Sequence, residues 1–387
     1  MAPLAPGAKP KASALRLRDS ALDSFLLEPT VEVDLIQDDN LFRLDRDVDS
    51  DNIMVLRPTL SLASDWLNHG VVATIGGEIG RHQDFDGEDY EDYSLSIAPT
   101  LNVDENTALK MALGYTSSHG QRGESDSLLQ GPEPSIDNTL TFSANWQYQS
   151  DKYSTHLNYE FARGDAQDNG PVERDFLDND SHSWIFRQGY DFTTGTTAWL
   201  QPGLEWVNYR QSRDDTGLVR DNQGWTLLAG LTIDRTAVSF LELSLGVMSR
   251  QFEQNGQDDF QGLAYQGRLV WNIMPLITLE IEAGRTASIA QSTTAPIAVD
   301  DSVRAQLAWD PLQNLILTGT MSFTHTELEA DSSEKQKEDV VEAGLNVRYL
   351  LTENLYFEAH YDYVKQVSNS GGDFLSNVFT LRAGLQL

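Results

Sequence analysis

The 387-residue chain contains no cysteine, so no disulfide holds it and no thiolate serves as a nucleophile or metal ligand. That absence suits an oxidising or surface compartment and permits the cytosol equally. No run of about 18 apolar residues occurs, which excludes a helical membrane span. Bases are scarce: 27 Lys and Arg stand against 59 Asp and Glu, and a net charge of −32 argues against a nucleic-acid partner. There is no phosphate loop, no nucleophile elbow and no zinc signature. No catalytic residue, cofactor or metal is therefore expected. The seven histidines, at 69, 82, 119, 156, 182, 325 and 360, include no pair spaced for a metal on one helix or strand. Asp47, Asp49 and Asp51 have the alternate spacing of a calcium loop, but Asn52 replaces its turn glycine and Pro58 stands where its bidentate acid belongs.

Residues 1–27 also lack something, the continuous apolar core of a signal peptide, and read as a mature N-terminus with an added Met. This segment is expected on the periplasmic side. It is either a short amphipathic helix with Leu15, Leu22, Phe25 and Leu26 on one side or a disordered tail.

What the chain does have, from residue 28 to its end, is a period of two. In TALKMALGY the residues Leu109, Met111, Leu113 and Tyr115 share one face, and Lys110, Ala112 and Gly114 the other. VEAGLNVRY and LYFEAHYDY obey the same rule. Alternation alone also describes a soluble sandwich. Length and punctuation separate the two. Eighteen strands are expected, the first over 28–36 and the last over 377–387, most of them ten to fourteen residues long and able to cross a bilayer at a tilt. Their connections alternate strictly between short ones, such as SD, TTGT and MP, and long ones, such as HGQRGESDSLLQGPEPSID. Short periplasmic turns and long outer loops mark an antiparallel barrel in a Gram-negative outer membrane.

The chain closes on NVFTLRAGLQL, in mid-strand. In a barrel this last strand must pair with the first, because an open edge in lipid leaves backbone groups unsatisfied. It resembles the terminal-strand signal read by the barrel-assembly machinery, with Phe379, Leu381, Ala383, Leu385 and Leu387 in alternation, although the usual last residue is aromatic. Most of the net charge falls in the long connections, where acids keep loops soluble and can share divalent cations with lipopolysaccharide phosphates. Lipid and lipopolysaccharide are thus expected partners.

The polar strand face is expected to line the lumen. It carries Glu78, Lys110, His156, Glu160, Arg187, Glu205, Glu242, Arg268, Glu280, Glu282, Arg304, Glu342, Arg348, Glu358, His360, Asp362 and Arg382. These groups either border a path for a hydrophilic solute or form ion pairs that stiffen the wall. Tyr356 and Phe240, on the same face, are candidate aromatic platforms for a sugar.

The most specific stretch is VEVDLIQDDNLFRLDRDVDSDNIMVLRPTLSL. Through Asp39, Asn40, Phe42, Arg43, Ser50, Asp51 and Pro58 it resembles the opening of the second putative β-barrel porin family. The resemblance implies an outer-membrane conduit for a secreted exopolysaccharide, working with a periplasmic polysaccharide-export protein. The alternatives from the same architecture are a general or solute-selective diffusion porin, narrowed by an inward loop at 119–137 or 163–181, and a plugged structural or adhesive barrel.

Overall fold

The computed structural model describes residues 15–16, 24–120, 122, 133–168, 173–211, 219–235, 238–252, 259–289, 297–329 and 336–387. Eighteen strands follow one another: β1 Phe25–Asp38, β2 Asp51–Ser64, β3 His69–His82, β4 Tyr90–Asn102, β5 Thr107–His119, β6 Ile136–Gln149, β7 Tyr153–Ala166, β8 Asn179–Thr193, β9 Thr196–Tyr209, β10 Asn222–Asp234, β11 Ser239–Phe252, β12 Phe260–Met274, β13 Ile277–Ile289, β14 Ile297–Leu312, β15 Leu315–Glu329, β16 Gln336–Leu350, β17 Leu355–Ser368 and β18 Phe374–Gln386. Each pairs antiparallel with its neighbour in sequence. The last returns to the first, with Leu381 opposite Leu35 and Arg382 opposite Asp34, so the sheet is closed. The short connections gather at one rim and the long ones at the other, as the alternation of lengths requires.

The strands run 13 to 16 residues, longer than the sequence pattern marks. The reason lies at the long-loop rim, where backbone pairing continues after the outward side chains have ceased to be apolar. Outward ion pairs take over there: Arg163 with Asp180 at 2.7 Å, Arg285 with Asp301 at 3.4 Å and His325 with Asp339 at 2.7 Å. Below them the outer surface is apolar all round, with Leu35, Ile75, Leu95, Leu204, Leu245, Leu263, Met321 and Leu345 exposed. Aromatic residues bound this belt towards the short-turn rim, among them Trp146, Tyr153, Phe192, Trp271, Trp309 and Tyr349, and towards the other rim, among them Tyr93, Trp184, Trp206 and Trp225. An apolar band between two aromatic girdles is what a bilayer core and its interfaces demand.

Two expectations for the N-terminus need correction. The first strand begins at Phe25, three residues before the expected boundary at 28. Phe25 and Leu26 lie in that strand, and Leu15 and Arg16 pair with Leu27 and Leu26, so these residues form extended backbone and no amphipathic helix. Extended pairing wins there because β18 ends opposite Thr30, leaving the start of β1 an open edge that a neighbouring strand satisfies. Leu22 and the remainder of the 1–27 segment, apart from Ser24, lie outside the described residues.

Three mid-strand prolines each interrupt one ladder and keep the other. Pro58 remains opposite Val31 of β1, while the β2/β3 ladder skips from Leu56–Ile79 to Thr59–Gly76. Pro99 interrupts β4/β5, and Pro202 interrupts β9/β8. Proline has no N–H to give, so the ladder opens on the side that N–H would have served.

Candidate functional site

Strand alternation places all seventeen expected lumen residues on the inner face. They separate into two walls with different electrostatics.

The first wall spans the seam where β18 meets β1. Six side chains from six adjacent strands alternate in sign: Glu78 (β3), Arg57 (β2), Asp34 (β1), Arg382 (β18), Glu358 (β17) and Arg348 (β16). Arg57 holds Glu78 through two bonds of 2.9 and 2.8 Å and also contacts Asp34. Arg382 grips Asp34 at 2.7 and 2.8 Å, reaches Glu32 at 3.4 Å and lies 3.8 Å from Glu358, which pairs with Arg348. The Asp34 side chain is 1% exposed and that of Glu358 5%. Buried charges persist only when paired and hydrogen-bonded, and every member of this row is. Glu32, Asp34 and Arg57 were missed in the sequence. Their signal was present, since Val31, Val33 and Leu35 face lipid and leave residues 32 and 34 to the lumen.

The inner aromatics obey a second rule. Tyr90, Trp199 and Tyr356 stand directly opposite Gly80, Gly230 and Gly384. A Cβ on any of those glycines would fall within 2.2 Å of the facing ring, so each ring lies flat where a side chain would be. Each ring is then covered on its other side: His119 stacks on Tyr90 at 3.6 Å, Arg187 on Trp199 at 3.8 Å and Arg348 on Tyr356 at 5.0 Å. Their polar atoms are satisfied too, Tyr90 donating to Glu78 at 2.7 Å, Trp199 to Thr232 at 3.0 Å and Tyr356 to Glu32. Tyr356, expected as a sugar platform, is buried under Arg348 and presents no free face. Phe240 borders a cavity of ≈ 640 Å³ at the short-turn rim, beside His156, Arg187 and Glu242.

The second wall runs from β8 to β16. One residue from each strand forms a single cross-strand row: Asp191, Thr197, Thr232, Glu242, Arg268, Glu282, Arg304, Ser322 and Glu342. It climbs from the short-turn rim towards the long-loop rim, and every position is polar. Glu242 pairs with Arg187 at 3.1 Å and accepts from Thr232 at 2.8 Å. Arg268 holds Glu280 at 2.6 Å and Glu282 at 3.2 Å, yet is 54% exposed. Ser322 donates to Glu342 at 2.6 Å. Arg304 is exposed and forms no ion pair among the described residues. Glu205 pairs with buried Arg250 at 2.6 Å, and His360 with Asp362 at 2.7 Å. Lys110 is exposed opposite Asn145, and Glu160 accepts from Asn158 at 3.1 Å.

The turn that carries the family resemblance clasps the seam. Arg43, at φ 54°, donates to Asp38 at 2.8 Å and to Ser376 of β18 at 2.9 Å. Buried Asn40 donates to the carbonyls of Leu44 and Leu375 at 2.8 and 2.9 Å and accepts from the Leu44 amide at 2.9 Å. Asp39 accepts from both nitrogens of Asn377 at 2.6 and 2.7 Å. Phe42 packs edge-on against Phe85 at 5.1 Å. Asp51 accepts from the amides of Asn52 and Asp84, while Ser50 is exposed just before β2. Among the described residues, no three His, Asp or Glu side chains gather as a metal site.

Under the long-loop rim a cavity of ≈ 520 Å³ reaches from β14 through the seam to β5, half the circumference. Gly120, Arg122 and Pro134 of the connection after β5 line it together with Arg304, Glu342, His360 and Asp362 of the facing strands. Arg122 is held there by Glu88 at 2.6 and 2.9 Å. Most of the connection at 119–137 lies outside the described residues, as does the middle of the one at 163–181.

A closed sheet with an apolar outer belt and a charged interior is an outer-membrane β-barrel. The family model described as putative beta-barrel porin 2 matches residues 21–387, and the chain belongs to that family. No curated protein matches the sequence. Among solved structures, OpdG (OccK9) of Pseudomonas aeruginosa is similar at TM-score 0.51 and 13% identity, covering 95% of this chain and 99% of that one. OpdO of the same organism aligns at TM-score 0.49 and 15% identity, covering 93% and 97%. OpdK solved with vanillate aligns at 0.49 and 12%, covering 93% and 99%. At such identities the likeness concerns the fold. The protein is a porin-like β-barrel of the Gram-negative outer membrane.

Proposed function

We propose that the protein is a passive diffusion channel for small hydrophilic solutes. The supporting observation is the cavity beneath the long-loop rim, where Arg122 and Pro134 enter the lumen and face Arg304, Glu342 and His360. A barrel of eighteen strands has room for water, and side chains brought in from a loop set its size limit. The chain has no nucleotide motif, so the driving force is the solute gradient.

Exopolysaccharide export, with a periplasmic polysaccharide-export protein as partner, is the second reading. It has in its favour the family resemblance and the position of Phe240 at the periplasmic mouth. Against it stands the inner aromatic set, because a sliding polymer needs open ring faces and those of Trp199 and Tyr356 are covered. Proteoliposome swelling with saccharides of increasing length separates the two. A diffusion channel admits mono- and disaccharides and excludes longer chains. Uptake that persists for long oligosaccharides would overturn the diffusion reading in favour of export.

A further inference from the structure

The cross-strand row on the second wall passes through a lumen cavity of ≈ 540 Å³ whose charges read Glu242, Arg268, Glu282, Arg304 and Glu342 in strand order, negative and positive in turn. Its floor is small: Gly267, Gly284 and Ser302 stand between the charged side chains, which rise into the water. Within the row the cations differ. Arg268 pairs with Glu280 and Glu282, whereas Arg304, directly opposite Glu282 and two strands from Glu342, has no carboxylate partner among the described residues. Glu342 accepts from the Ser322 hydroxyl and forms no ion pair among the described residues. Neighbouring strands lie about 4.8 Å apart, so Glu282 stands one strand spacing from Arg304 and Glu342 stands two spacings away on the other side, across Ser322.

We propose that Arg304, with Glu282 and Glu342 flanking it, is a subsite for small zwitterionic solutes. The guanidinium takes the solute carboxylate and the flanking acids take its ammonium group. An ion of either single sign gains one contact and meets one repulsion. A neutral polyol gains neither. The inference rests on the diffusion reading and assigns it a solute class.

Swelling rates for serine and erythritol, measured in proteoliposomes with the full chain, provide the test. Arg304→Gln and Glu342→Gln are each expected to lower the serine to erythritol ratio about two- to fivefold, the range that exposed ion pairs support. Arg304→Lys is expected to keep most of the preference. In planar bilayers Arg304→Gln shifts the reversal potential towards cations, a readout independent of swelling. A ratio unmoved in Arg304→Gln, with solutes passing by size alone, overturns this inference and leaves the diffusion reading standing. A barrel that passes neither solute overturns both.

Discussion

The two walls of the lumen use the same residue types to opposite ends. Across the seam, six charges from Glu78 to Arg348 are paired end to end, and Asp34 and Glu358 are nearly inaccessible. On the wall from β8 to β16, Arg268, Glu282 and Arg304 stand in water, and Arg304 has no ionic partner among the described residues. The seam is the one place where strands distant in sequence must find each other, and the pairing of Arg382 with Asp34 at fixed register rewards that closure. The far wall is built from strands adjacent in sequence; there Arg187 pairs with Glu242 and Arg268 with Glu282, while Arg304 and Glu342 form no ion pair among the described residues.

The largest contrast is expected from Asp34→Ala. It leaves Arg57 and Arg382 without their shared acid and lowers stability by about 2–4 kcal/mol, read as an earlier heat-induced shift in gel mobility. Gly384→Ala comes next. Its Cβ would stand 2.1 Å from the Tyr356 ring, so the ring tilts into the lumen at a cost of about 1–3 kcal/mol, with reduced single-channel current. Asn40→Ala opens the clasp between β1 and β18 and costs about 1–2 kcal/mol, with conductance unchanged once the barrel is folded. Arg304→Gln, on the other wall, is expected to change stability by less than about 0.5 kcal/mol while moving ion selectivity. Equal losses of stability at Asp34 and Arg304 would erase the distinction between the walls.

Strand number, closure and inner-face residues were legible in the sequence because alternation and connection length are local signals. Register was not. Glu282 and Arg304 could each be assigned to the lumen, but their standing side by side follows only from the ladder that also sets Leu279 opposite Leu307. Glu32 and Asp34 were as readable as the rest, since they alternate with the apolar Val31, Val33 and Leu35. The covered state of Tyr356 depends on Gly384, 28 positions later in the chain, and on Arg348 of another strand, so no local pattern announces it. The turn at 39–51 was recognisable by family, yet its work as a clasp on Ser376 and Asn377 needs the closed barrel to be seen.

Because the chain has no cysteine, a single thiol can report on either wall. The decisive measurement is the single-channel current of Ser322→Cys and Ser376→Cys before and after a charged thiol reagent. Ser322 lies in the row beside Arg304, and Ser376 is 0% exposed within the seam. The account predicts that the reagent cuts the current through Ser322→Cys and leaves Ser376→Cys unaltered. Block at Ser376→Cys with none at Ser322→Cys would contradict it.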